Sequence, residues 1–487
     1  MKGWQVVRVV LVIMASFCLL VSCSGSSSDT VAGGGIGGTG YTSSGTITAF
    51  GSILVNGVRF DTTKARVIIG GRQKGIGDQA ILENLDIGQV VLVEGTANGQ
   101  SSYGVATRVR FTPHLKGPVA SVEDIDQNVK RFKVLGQTII TDDSTIIKNT
   151  SMGDLSLDNL IEVSGLMDVA GVIRATYIKK LADFFDPAIE VEIKGSVQNL
   201  DLNSKTFNLN DLLVYYGQAY MSNSAEETMA SGLWVHVRGK VDPRGFLLAT
   251  EVEPADETRI KGAEWVDLEG FITDFVSSFD FAVGYVRVQA QGDAKYIAGL
   301  SEELEQGAKI RVKGRMVNGI LRAQQIIFQE RIKLEATVVS KNSSLKTLSL
   351  SNLNGVGVMV TGLTKFVGPV KEFDQIQVGD YLRVRGRVWA GKALLATMLK
   401  VIPSPPHPEV VVLQGLVENV NNPEIVILGI TIDTTSIPDN KFEGVGNTDQ
   451  RGEFFRRVKT GSLVRAWGKI GTTGGITWEG IAWEEEN

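Results

Sequence analysis

Histidine and cysteine are scarce in this chain, which has three His and two Cys in 487 residues. These side chains most often supply nucleophilic, general-base or metal-ligand chemistry. His114 falls between two strand-like segments, and His407 lies in the run Pro403-Ser404-Pro405-Pro406-His407-Pro408. His236 alternates with valine in Val235-His236-Val237, a pattern that turns it outward on a strand. None has a metal-ligand partner at helical or strand spacing, so all three are expected to be solvated. The turns Asp124-Ile125-Asp126-Gln127-Asn128 and Asp142-Asp143 are oxygen-rich but lack the glycine and distal Glu of a calcium loop. They read as ordinary hairpin turns. There is no Gly-x-Ser-x-Gly elbow, and the glycines of residues 33–38 have neither a following lysine nor a preceding strand. No catalytic residue, no metal site and no cofactor is therefore expected.

Two basic trios remain. Arg311, Lys313 and Arg315 alternate along one segment, and Arg383, Arg385 and Arg387 repeat the pattern downstream. A strand places each trio on one face. Two such stripes could hold an anionic polymer such as an acidic glycan, and the alternative is a charged, solvated strand face. Aromatic stacking partners are sparse, with Trp389 nearest in sequence. Trp467, Trp478 and Trp483 cluster near the end and suit either a contact surface or a terminal cap.

The elements that carry these residues are repeated. Six segments alternate apolar and polar residues into a glycine, at Gly95, Gly165, Gly239, Gly314, Gly386 and Gly468. Each is read as a strand ending at its glycine. The intervals are 70, 74, 75, 72 and 82 residues. Before each lies an opening strand, as in Gly45-Thr46-Ile47-Thr48-Ala49-Phe50, and a hairpin, as in Ile53-Leu54-Val55-Asn56-Gly57-Val58. Asn-Gly favours a two-residue hairpin turn because both positions take positive φ. A variable segment precedes the glycine strand, and a last strand follows it. The order predicts an all-β protein: a tandem array of about six small five-stranded OB-like β-barrels, each with a short helix or loop before the fourth strand.

The repeats are placed at residues 45–114, 115–186, 187–257, 258–331, 332–402 and 410–487, with a proline-rich linker at 403–409. Barrels this small need their neighbours for stability. In a co-linear row they would make a rod on the order of 150 Å. The chain is 43% apolar and 21% charged, with 55 Gly and 12 Pro, the composition of a folded protein rich in tight turns. Its formal charge of −5 argues against nucleic acid as a partner.

The N-terminus resembles a bacterial lipoprotein signal. Lys2 and Arg8 precede an apolar run from Val9 to Val21, too short to span a bilayer, and Leu20-Val21-Ser22-Cys23 resembles a lipobox. The resemblance implies cleavage after residue 22 and acylation of Cys23, which would be the membrane anchor. Ser24, where an Asp would imply inner-membrane retention, implies the outer membrane. Cys18 would be lost on cleavage, leaving no disulfide to form within the mature chain. Residues 23–44 are rich in Ser and Gly and are read as a flexible tether.

The runs Gly45 to Asp61 (GTITAFGSILVNGVRFD) and Val134 to Thr145 (VLGQTIITDDST), with the recurrent glycine strand, resemble a bacterial family catalogued only as a domain of unknown function. That family occurs in tandem in secreted proteins and lipoproteins, and the resemblance covers most of residues 45–483. It brings no catalytic residues. The expectation is a lipid-anchored repeat protein of the cell envelope, a non-enzymatic spacer and interaction surface meeting envelope proteins or glycans. It would face the periplasm or the cell surface. Polyanion binding by the basic trios is the second reading. An enzyme with a site built between repeats is the third.

Overall fold

The computed structural model describes residues 40–97, 102–126, 129–221, 229–389, 393–446, 448–471 and 474–484. In the first repeat the strands are Gly40–Ala49, Ile53–Val55, Val58–Asp61, Val90–Ala97 and Tyr103–Phe111, with the pair Arg66–Ile69 and Arg72–Ile76 and the helix Gly77–Asn84 inserted before the fourth. The first strand pairs antiparallel with the second and with the fourth. The third pairs parallel with the fifth, and the fifth antiparallel with the fourth. The ring first–second–third–fifth–fourth–first is thus closed, which is the OB barrel. Repeats two to five close the same way. In repeat six the parallel contact to the last strand comes from the short Phe442–Glu443.

The six signature glycines have one structural cause. Each lies inside the fourth strand at a bulge, where its register against the fifth strand shifts. A Cβ there would lie under 3.0 Å from a carbonyl oxygen of the fifth strand: of Val105, Arg174, Leu248, Arg322, Leu395 or Thr477. Only glycine allows that approach. The fourth strand does not end at the glycine, as its sequence suggested. It continues through the bulge, from Val90 to Ala97 in repeat one.

Closure leaves part of each first strand with an open edge. In Gly40–Ala49, residues 40–46 pair with the fourth strand and residues 47–49 with the second. The outer edge of the first half is free within its own barrel, and the barrels use it to pair with one another. Repeat one joins repeat four by a parallel ladder, Tyr41↔Trp265 to Ser44↔Leu268. Repeat two joins repeat three antiparallel at Leu115↔Ile193, and repeat five joins repeat six at Leu334↔Leu413. Three sheets of 12, 13 and 11 strands result. A single cluster of buried side chains runs through repeats two and three, and another through five and six.

Two expectations are corrected here. Repeat one takes repeat four as its strand partner rather than its neighbour in sequence, so the barrels do not form a co-linear row. Residues 40–44, assigned to the tether, are strand. Ladder pairing needs backbone groups rather than apolar side chains, and Tyr41 anchors the segment at 2% exposure.

Candidate functional site: a cavity among four barrels

Most of the two basic trios is engaged within the protein, in part across the joints between barrels. Arg311 Nε and Nη2 donate to the two oxygens of Asp267 at 2.6 and 2.7 Å, and Tyr41 of repeat one donates its hydroxyl to the same carboxylate at 2.7 Å. Asp267 is fully buried and Arg311 nearly so. Lys313 is buried opposite Asp267 on the neighbouring strand. Arg385 pairs with Glu303 of repeat four and donates Nη1 to the carbonyls of Ala298 and Glu330 at 2.9 and 3.0 Å. Arg383 holds Glu335 at 2.8 Å. Arg387 reaches Asp142 at 3.2 Å and also Asp143, tying repeat five to repeat two. Only Arg315 is mainly exposed, at 53% of its side chain, lying over the Trp265 ring.

The expected solvent-facing stripes are therefore not present. The anions they meet are the protein's own carboxylates, because their strand faces lie at joints that no single repeat discloses. The turn Asp142-Asp143 accepts Arg387. The expectation of solvated histidines fails for two of three. His236 is buried between Glu192 at 3.0 Å and Glu253 at 3.1 Å. His114 is buried at the junction of repeats, while His407 is exposed. Trp478 is core, and Trp467 and Trp483 lie beside Arg465 and Arg457. Cys23 and the side chain of Trp389 lie outside the described residues. Among the described residues no group of three or more His, Cys, Asp or Glu is placed to hold a metal ion.

The joints border a half-open cavity of about 460 Å³ where repeats one to four meet. Repeat one contributes Ser44 from its first strand, and repeat two contributes Gln137 and the turn from Met167 to Gly171. Repeat three supplies Lys194, Asn210 and Trp234, and repeat four supplies Glu269 and Tyr285. The lining is held in place by bonds across the joints. Gln137 Nε2 donates to the Leu209 carbonyl at 2.8 Å, and Asn210 Nδ2 donates to Gln137 Oε1 at 2.6 Å. Ser164 Oγ accepts from the Val90 amide at 2.8 Å. The rings of Trp234 and Tyr285, from different barrels, pack 5.4 Å apart at 47°.

Both wall carboxylates are partly engaged. Asp168 accepts from Arg174 Nε at 2.8 Å and from the amides of Ala170 and Val172. Glu269 pairs with Lys309 at 2.9 Å and accepts the Thr46 amide at 3.0 Å. Burial opposes the charge on Glu269, yet Lys309 and the Thr46 amide hold its carboxyl below the usual range. His114 is the reverse case. Burial first, then the Lys194 cation, push it down to about 3 against a backbone bond to Gly165, so the ring is neutral. Its Nε2 has no hydrogen-bond partner among the described residues.

A second cavity, of about 370 Å³, lies among repeats two, four and five. Its walls carry Asp142, Asp168, Arg174 and Arg387, which are bonded to one another in pairs.

Little in the chain foreshadows the first cavity, whose walls come from segments as far apart as Ser44 and Tyr285. One signal existed. Asp267 and Glu269 alternate in an otherwise apolar opening strand, Val266-Asp267-Leu268-Glu269, with the same period as Arg311 and Lys313. Complementary pairs of charges on paired strands imply an internal match.

Residues 116–179, 194–253 and 336–400 each match one family model, described as a domain of unknown function (DUF5666). These are the barrels of repeats two, three and five; repeats one and four share their ring order, and all six repeats share the bulge glycine. No curated protein matches the chain. A solved structure described as "drosophila Unr CSD456" is 18% identical, covering 39% of this chain and 88% of its own, with a TM-score of 0.11. That score is too low to carry an argument.

Proposed function

We propose that this chain, with three tandem matches to a domain of unknown function, is a lipid-anchored, non-enzymatic interaction protein of the cell envelope. The observation that carries the reading is the clamp on the first strand. Tyr41 to Ser44 pair with Trp265 to Leu268, so an anchor on the N-terminal segment acts on repeats one and four together. The ordering of the basic residues supports the same reading: they stiffen joints and make the barrels one platform. From Cys23 to Thr39 a chain of this length reaches at most about 60 Å, enough to hold such a platform clear of a lipid surface.

Acylation of Cys23 would place the protein in the membrane fraction, and Ser24 favours the outer membrane. Globomycin should cause the uncleaved precursor to accumulate, and Cys23→Ala should lose the lipid. A Cys23→Ala protein that stays in the membrane fraction after carbonate washing defeats the anchor. Polyanion binding is the lesser reading, since it would rest on Arg315 as the only mainly exposed member of the two trios.

A further inference from the structure

We infer that the cavity among repeats one to four is a binding site for a small neutral saccharide, of one or two rings. The inference goes beyond the envelope reading and does not depend on the anchor.

The size is right. A volume of about 460 Å³ lies within the ordinary range of small-ligand sites and would admit a disaccharide. The chemistry of the walls narrows the class. Two carboxylates, Asp168 and Glu269, border the cavity with acceptor capacity left over: the bonds described use one position on Asp168 Oδ2 and one on each Glu269 oxygen, out of about two per oxygen. Carboxylate oxygens exclude an anionic ligand and accept well from hydroxyl groups. A cation is excluded too. Arg174 and Lys309 already pair with the two carboxylates, so neither offers an uncompensated negative charge.

The remaining polar lining is amide and hydroxyl, as in Gln137, Asn210 and Ser196. Such groups both donate and accept, which matches a polyol. The Trp234–Tyr285 pair gives the cavity an aromatic flank for the apolar face of a sugar ring. His114, whose ring is neutral, also lines the cavity. An apolar ligand would desolvate the spare carboxylate oxygens of Asp168 and Glu269 without replacing their bonds to water, so it is disfavoured.

The test uses the full-length protein in a zwitterionic detergent, since glycosidic detergents would compete. Maltose, cellobiose and N,N′-diacetylchitobiose are titrated calorimetrically, with glucuronate and glucosamine as charged counterparts. At least one neutral disaccharide should bind, with both charged sugars at least tenfold weaker. Trp234→Ala should weaken binding about tenfold, the equivalent of one lost stacking contact. Ala170→Trp, at an exposed position on the cavity lining, should block binding without disturbing the core. His407→Ala, far from the cavity in sequence and exposed, should bind as the native protein does, and circular dichroism checks that each variant is folded. The inference is overturned if none of the neutral disaccharides binds, if the charged sugars bind equally well, or if folded Ala170→Trp and Trp234→Ala bind with unchanged affinity. Membrane fractionation is read separately, so loss of the anchor and loss of the sugar site are distinguishable.

Discussion

Glu303→Gln is the sharpest probe of what the basic residues do. Glu303 ends the short 3-10 turn Ser301–Glu303 of repeat four and is almost wholly buried. Its carboxylate bonds Lys333 Nζ at 2.7 Å and also meets Arg385, both in repeat five and both nearly inaccessible to solvent. Burial alone would raise its pKa, but Arg385, Lys333 and Arg383 together bring it down to about 2. The fall from 4.5 corresponds to about 3 kcal/mol of folding free energy. Because the folded pKa is depressed, that stability is fully present above pH 4.5 and is lost as pH falls toward 2. Gln keeps the shape and removes the charge, leaving two buried cations short of a partner, a change that costs about 3–5 kcal/mol. Urea unfolding of both proteins across pH 2–7 measures the difference. Hydrogen exchange at residues 298–303 localises it to the joint of repeats four and five. The gap should be about 3 kcal/mol at pH 7 and should close toward pH 2. A gap under 1 kcal/mol at pH 7, or one that does not change with pH, refutes the assignment of Arg383 and Arg385 to an internal joint.

Three further outcomes follow from the same structure. Gly386→Ala places a methyl against the Leu395 carbonyl and should lower stability by about 2–3 kcal/mol, whereas Gly357→Ala, with open space around it, should cost far less; thermal melts compare them. Glu162 is raised to about 7, chiefly by burial, with Lys179 opposing and Glu192 adding to the effect. Native protein should therefore lose about 3 kcal/mol as pH rises from 4.5 to 7, and Glu162→Gln should show a correspondingly flatter pH profile in the same urea assay. Arg387→Ala removes a half-buried bridge to Asp142 and Asp143, so it should cost about 1 kcal/mol or less and speed hydrogen exchange at residues 142–145.

The barrel unit was legible in the chain. Period-two alternation, the Asn56-Gly57 turn and the six spaced glycines are local signals, and they gave the five-strand order because each arises within about 70 residues. The glycine itself was seen but its reason was not. The bulge is a relation between the fourth and fifth strands, and a single strand carries no mark of the carbonyl that will press on it. The basic trios show the same limit. Alternation placed Arg311 with Lys313, and Arg383 with Arg385, on one face, and that is where they are. Alternation does not say whether a face meets water or another barrel.

What the amino-acid order settled alone is the repeated fold, since hydrophobic periodicity and turn chemistry act over a few residues. What the tertiary structure decided is which open half-strand meets which. Pairing of repeat one with repeat four joins Tyr41 to Asp267 across more than two hundred residues, and a backbone edge accepts any partner strand whose side chains fit. The choice rests on charges and hydrogen bonds such as Asn56 to Ser44 and Asp267, which become neighbours only after the barrels have closed. The four-barrel cavity exists only because of that choice.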